Sequence, residues 1–253
     1  SESLLSYGLY LCEEKTIINY NDAIQKKEIE DESISSVFVG ELEDALQACD
    51  WNSVDKLMPS IYYVSDRSRS IIDTIADLGL QNIDSNIVMI FHLLRAFNFK
   101  QKKSHVWTYA CLLVNKIKSN HLPKPNSQKD CAPKDFIENI ANEKDVQKLV
   151  KYAAVSRIWD GDYVRLRSYR REISSWLYET FSKSNEKTVK NLQVDNRQID
   201  FISVAEKIIL NGNSYNMISE KINTLDALRY LNSIGCSINI KSHIDNLLES
   251  ERK

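Results

Sequence analysis

The stretch RIWDGDYVRLRSYRREISSW, residues 157–176, gathers the side chains best able to do chemistry. Asp160 and Asp162 stand on either side of Gly161, and paired carboxylates of this kind can hold Mg²⁺ or Ca²⁺. A calcium loop, however, needs oxygen ligands at fixed offsets over about twelve residues, and here Val164, Arg165 and Leu166 follow. A paired-aspartate metal motif for nucleotide-sugar chemistry belongs at a strand end in an α/β protein, a class this chain does not resemble. The simpler reading is a turn between two helices. Gly161 ends the first helix. Asp162 caps the next, offering its carboxylate to free N–H groups and to the positive end of the helix dipole. Trp159 and Tyr163 then pack the two helices together.

The arginines behind that turn form the candidate binding surface. A helix over 162–182 would bury Leu166, Tyr169, Ile173, Trp176, Leu177 and Phe181 in one stripe. Arg167, Arg170 and Arg171 fall to one side, with Ser174 and Tyr178 on the same flank. Guanidinium groups suit phosphate and carboxylate forks, and neighbouring aromatics can stack on bases. With Arg165 and the upstream Lys100, Lys102 and Lys103, these residues make the expected site for a phosphate or an acidic partner. The competing expectation is a solvated helix face on which Glu172 and Glu179 pair some of the charge.

Elsewhere the chemistry thins out. His92 lies in an apolar helix, His105 follows a cap, and His243 stands apart. His121 is ten residues from both Cys111 and Cys131, a set too widely spaced for zinc, so no metal is expected. Arg95 and His105 are too far apart in sequence for a helical nuclease pair. Phosphate-binding glycine loops, nucleophile elbows and HExxH metalloprotease helices do not occur. The expectation is a non-enzymatic protein without a cofactor.

The elements that position these residues read as helices nearly throughout. The chain of 253 residues holds only 6 Gly and 4 Pro, where sheets joined by tight turns would need many more. Apolar spacing follows the helical rhythm over 34–49, 65–78, 83–99 and 104–118. Gly79 is expected to stop one helix, Asp84 or Ser85 to cap the next, and Ser104 to cap the one after. Further helices fit 143–159, 162–182, 196–210, 214–222, 224–234 and 241–251. Only VFV (37–39) and SINI (237–240) resemble strands. The expected fold is all-α, irregular stacked helical hairpins in a solenoid-like or bundle arrangement, with more than about 60% helix and no significant sheet. Three places share the form of a helix, a polar turn carrying an aromatic, and a second helix: 46–57, 156–167 and 208–219. Such turns occur in tetratricopeptide-like solenoids, but no period of about 34 residues appears here.

Organisation and charge complete the reading. SNHLPKPNSQKDCAP (119–133) carries three of the four prolines. It divides an N-terminal helical half, 1–120, from a C-terminal half, 134–253, across a loop at 121–133, with Pro133 suited to a first helical turn. Residues 1–50 hold 12 acids and 3 bases, while 95–171 hold 17 bases and 7 acids. The basic middle therefore either meets an external partner or is neutralised by acids such as Glu28, Glu30, Asp31 and Glu32. Five widely spaced cysteines without CxxC point to reduced thiols and an intracellular protein, cytoplasmic or nuclear. LLSYGLYLC (4–12) reads as a first helix, and no apolar run reaches a membrane span. Taken together, these features predict a helical scaffold or adaptor subunit that binds a protein partner. The alternative is a nucleic-acid-binding module that uses residues 95–171.

Overall fold

The computed structural model describes residues 39–65, 68–99, 103–161, 166, 168–182, 199–212 and 214–249, and leaves out the side chains at 63, 64, 99, 103 and 104. It is 77% helix, with no strand among the described residues. The helices are α1 (Val39–Gln47), α2 (Trp51–Val64), α3 (Ser70–Gly79), α4 (Ile83–Phe99), α5 (Lys103–Asn120), α6 (Val146–Asp160), α7 (Tyr169–Phe181), α8 (Phe201–Asn211), α9 (Tyr215–Ser233) and α10 (Ile240–Glu249). Short 3₁₀ turns occur at Leu80–Asn82 and Pro133–Phe136. The strand-like SINI is an irregular lead into α10 whose last residue, Ile240, opens that helix. VFV lies outside the described residues except for Val39, the first residue of α1, and LLSYGLYLC lies wholly outside them.

The described residues divide into two compact units, one drawn from Ser1–Ser127 and Asp162–Glu172, the other from Gln128–Gly161 and Ile173–Lys253. In the first unit α3 is central, packing against α1, α2, α4 and α5. Its Ile71, Ile72 and Ile75 are fully buried at the i, i+1, i+4 spacing of one helix face. α3 ends at Gly79, where the sequence placed its stop, but without a left-handed cap: φ is −58°, and the chain runs through the 3₁₀ turn directly into α4. The glycine serves close packing, since a Cβ there would sit 2.9 Å from the terminal methyl of Ile90. The start of α4 is also capped differently from the expectation. The Asn82 side-chain oxygen accepts from Ser85 N at 3.3 Å, while Asn82 Nδ2 donates to the carbonyls of Asn120 and His121. Ser104 as a cap lies outside the described side chains.

The turn from α1 to α2 confirms the first hairpin. Cys49 takes the left-handed conformation at φ 57°, and Asp50 N bonds back to the Ala45 carbonyl at 2.9 Å, which is a Schellman closure. Asp50 then caps α2 by accepting from Ser53 N and Ser53 Oγ.

In the second unit α9 is central, packing on α6, α8 and α10. It is one helix, where the sequence suggested two meeting at 223. Thr224 tolerates the interior by turning its hydroxyl onto the Glu220 carbonyl at 3.0 Å. Aromatic side chains fill the space beside α6. Phe181 meets Phe136, Tyr152 and Trp176 at ring distances of 5.9, 5.7 and 5.8 Å. Tyr152 Oη satisfies its hydroxyl on the Pro133 carbonyl at 2.6 Å. Beyond α9, Gly235 at φ 74° makes the second Schellman closure, with Cys236 N on the Leu231 carbonyl.

Candidate functional site

Gly161 lies at the C-terminal end of α6, as expected, and its N–H reaches the Arg157 carbonyl at 3.0 Å. Its backbone is extended, φ −81° and ψ 165°, so the glycine is not needed for a left-handed turn. Trp159 is partly buried and Asp160 is exposed. Asp162 and Tyr163 lie outside the described residues. Among the described residues, no group of three or more His, Cys, Asp or Glu side chains is arranged to hold a metal.

Helix α7 begins at Tyr169, later than the 162 start read from the sequence, and Leu166 precedes it. The reason is a cap from outside the helix. Asp77 on α3 accepts from Ser168 N at 3.0 Å and from Ser168 Oγ at 2.6 Å. This places a carboxylate at the positive end of the new helix.

Of the expected basic site, Lys100, Lys102, Arg165 and Arg167 lie outside the described residues, and Lys103 opens α5 with its side chain likewise outside. Arg170 and Arg171 are described, and their settings differ. Arg170 is exposed; its Nε donates to Tyr169 Oη at 2.8 Å, and its guanidinium lies 5.5 Å from the centre of that ring. Arg171 donates through Nε and Nη2 to Glu172 Oε1 at 3.0 and 2.9 Å. The Glu172 side chain is 0% exposed. It also accepts from Asn126 N and Asn126 Nδ2, which ties down the proline-containing loop. A fully buried carboxylate needs such partners to offset its desolvation. The flank is not open in the way the sequence suggested: Ser174 is buried, with its Oγ accepting from Lys129 N at 3.0 Å. Tyr178 is exposed, with Lys129 Nζ 5.1 Å from its ring centre.

A polar cluster joins α6 and α9 within the second unit. Arg157 donates to Asp226 Oδ2 at 2.6 Å and to the Asp226 carbonyl at 2.9 Å, and it lies 4.5 Å from the Tyr230 ring centre. Tyr230 Oη meets Ser156 Oγ at 2.9 Å. Burial raises the Tyr230 phenol above its ordinary value, and Ser156 is itself buried. The group clamps two helices and offers no accessible nucleophile. Three thiols are likewise held in the neutral form. Burial pushes Cys111 up to about 12 and Cys236 up to about 11, and it also raises Cys131.

α8 packs through one face and exposes a second, apolar one. Its sequence, FISVAEKIILN, carries seven apolar side chains in eleven positions, where an ordinary surface helix has three or four in two turns. Ile208 is fully buried, but Ile202 is 73% exposed, Leu210 81% and Ile209 44%. At 100° per residue, Ile202 and Ile209 lie within about 20° of each other around the axis, and Leu210 is about 100° beyond Ile209. Glu206 falls between them, so the face is an apolar strip with one carboxylate in it. Tyr215, at the start of α9 and 58% exposed, stands across a tight turn. Gly212 makes that turn possible, because a Cβ there would lie 2.2 Å from Ile218 Cγ1. Reading 196–210 as one amphipathic helix missed this second face; the excess of apolar residues was its signal. Asp200 caps α8 by accepting from Ile202 N, Ser203 N and Ser203 Oγ, and those bonds, led by the one from Ser203 N, hold its carboxyl below the usual range.

Searches of protein families, curated proteins and solved structures found no match to the chain. Among the described residues no helix is long and apolar enough to cross a membrane.

Proposed function

We propose that the protein is a non-enzymatic helical scaffold or adaptor whose α8 face docks a protein partner. One observation carries this reading: α8 presents Ile202, Ile209 and Leu210 to solvent on a face separate from the one that buries Ile208. A helix that is apolar on two sides is ordinarily covered on both. Each fully buried Ile or Leu side chain is worth about 1.5–3 kcal/mol, so covering this strip is a substantial driving force for association. A nucleic-acid surface would want the opposite, guanidinium and ammonium groups beside stacking aromatics. Of the two described arginines of that expected surface, Arg171 is engaged by Glu172 and Arg170 by the Tyr169 hydroxyl.

The test is photo-crosslinking in cells from a reactive residue placed at 210, with position 170 as the comparison. A protein cross-linked from 210 is purified and its affinity for the chain is measured directly. The expected result is saturable binding that falls at least about tenfold in Leu210→Ser. Cross-links to nucleic acid from 170, with none to protein from 210, would replace the adaptor reading with the nucleic-acid one.

A further inference from the structure

Resting on the α8 docking surface, we infer that its occupant is an amphipathic helix of another protein that brings a Lys or Arg, set within its own apolar face, onto Glu206. The position of Glu206 leads to this. Counted from Ile202 around the axis, Ile209 lies at about −20°, Glu206 at about +40° and Leu210 at about +80°. The carboxylate is therefore inside the strip and is desolvated by anything that covers Ile202, Ile209 and Leu210. Burying an unpaired carboxylate is costly, so a wholly apolar occupant is penalised and an acidic one more so. The one basic residue of α8, Lys207, lies at about +140°, some 60° beyond Leu210, so it borders the strip and is outside the arc that holds Glu206.

The same geometry argues against a second copy of this chain. A two-fold axis that sets Ile202 against the partner copy's Ile209 passes between residues 205 and 206, bringing two Glu206 side chains close together with no base between them. The chain's own segment 1–38 is also a poor fit, because its acids outnumber its bases eight to three. A strip of about two turns, roughly 10 Å between Ile202 and Ile209, matches the i, i+3, i+4, i+7 anchors of a docked helix.

The experiment uses the full chain and three fluorescent 18-residue helical peptides with the same leucine face, differing only at one central position of that face: Arg, Leu or Glu. The expected order of affinity for the parent chain is Arg, then Leu, then Glu, with Arg and Glu separated by at least about tenfold. In Glu206→Arg that order reverses, and in Ile202→Ser/Leu210→Ser all three affinities drop together. If the peptides bind through Leu210 but with equal affinity, and Glu206→Arg changes nothing, the charge inference is overturned while apolar docking stands. If none binds at concentrations up to about a millimolar, both fail together. Sedimentation of the parent chain as a dimer that Leu210→Ser dissociates would assign the face to a second copy. A marked loss of thermal stability in Leu210→Ser would assign it to a segment of the chain itself.

Discussion

Arg171 and Glu172 show how one pair can decide whether a basic cluster is free to bind. Adjacent helix positions are about 100° apart, so side chains at i and i+1 do not ordinarily face each other. Here the long arginine reaches round to a carboxylate that is fully buried and also accepts from Asn126. Arg171→Ala should therefore cost about 1–2 kcal/mol of stability, less than the loss from a wholly buried pair, because the arginine is itself partly exposed. Glu172→Gln in the same chain should restore part of that loss. A urea-denaturation double-mutant cycle tests the coupling, and a value indistinguishable from zero would make the pair incidental. The thiols give a second residue-scale expectation. With Cys111 held near 12 and Cys236 near 11, neither forms thiolate in the folded state at pH 8. Ellman's reagent at that pH should leave both unmodified until the chain is unfolded. The sign of the pH dependence follows from the same shifts. These groups favour their neutral form in the fold, so their contribution is complete below the unfolded thiol value near 9 and is lost as pH rises through 11 to 12.

Two glycines at helix ends, Gly79 and Gly212, have different expectations at the scale of elements. Alanine at Gly79 would bring its Cβ within 2.9 Å of the mobile end of Ile90, while gaining about 1 kcal/mol of helix propensity. Gly79→Ala should change stability by less than about 1 kcal/mol in either direction. Alanine at Gly212 would meet Ile218 Cγ1 at 2.2 Å and the Ile208 carbonyl at 2.9 Å, and backbone cannot rotate away. Gly212→Ala should cost about 1–3 kcal/mol and should loosen α8 against α9, visible as faster amide exchange in both helices. Equal effects of the two substitutions on the thermal midpoint would contradict this account. Capping follows the same logic of local register. Asn82, rather than Asp84 or Ser85, caps α4 because the 3₁₀ turn ends at Asn82, and Asp77 caps α7 from a helix some ninety residues earlier.

Among the described residues, three of the five exposed large apolar side chains, Ile202, Ile209 and Leu210, lie on α8. Leu210 is 81% exposed and Ile202 73%, so Ile202→Ser and Leu210→Ser, singly or together, should alter stability by no more than about 0.5 kcal/mol per site. The same changes should lower binding of an apolar-surface dye such as ANS. A large destabilisation would mean that the face is already covered within the chain. The acidic N-terminal residues invoked to neutralise the basic middle, Glu28, Glu30, Asp31 and Glu32, lie outside the described residues. Among the described residues, Arg171 pairs with its immediate neighbour Glu172.

The sequence by itself determined the all-α character. Few Gly and Pro residues and an almost unbroken 3–4 apolar rhythm leave no arrangement of strands that could be closed by turns. It also determined the place of Gly161 at a helix end and the hairpin at 46–57, because turn chemistry acts within a few residues. Only the tertiary structure decided which faces stay open. The burial of Glu172 and Ser174 depends on loop 126–131 lying over α7, and the exposure of Ile202 and Leu210 depends on α9 and α10 covering just one side of α8. Those are contacts between residues far apart in the chain, and a helical period reports that a face is apolar without reporting whether anything is packed against it.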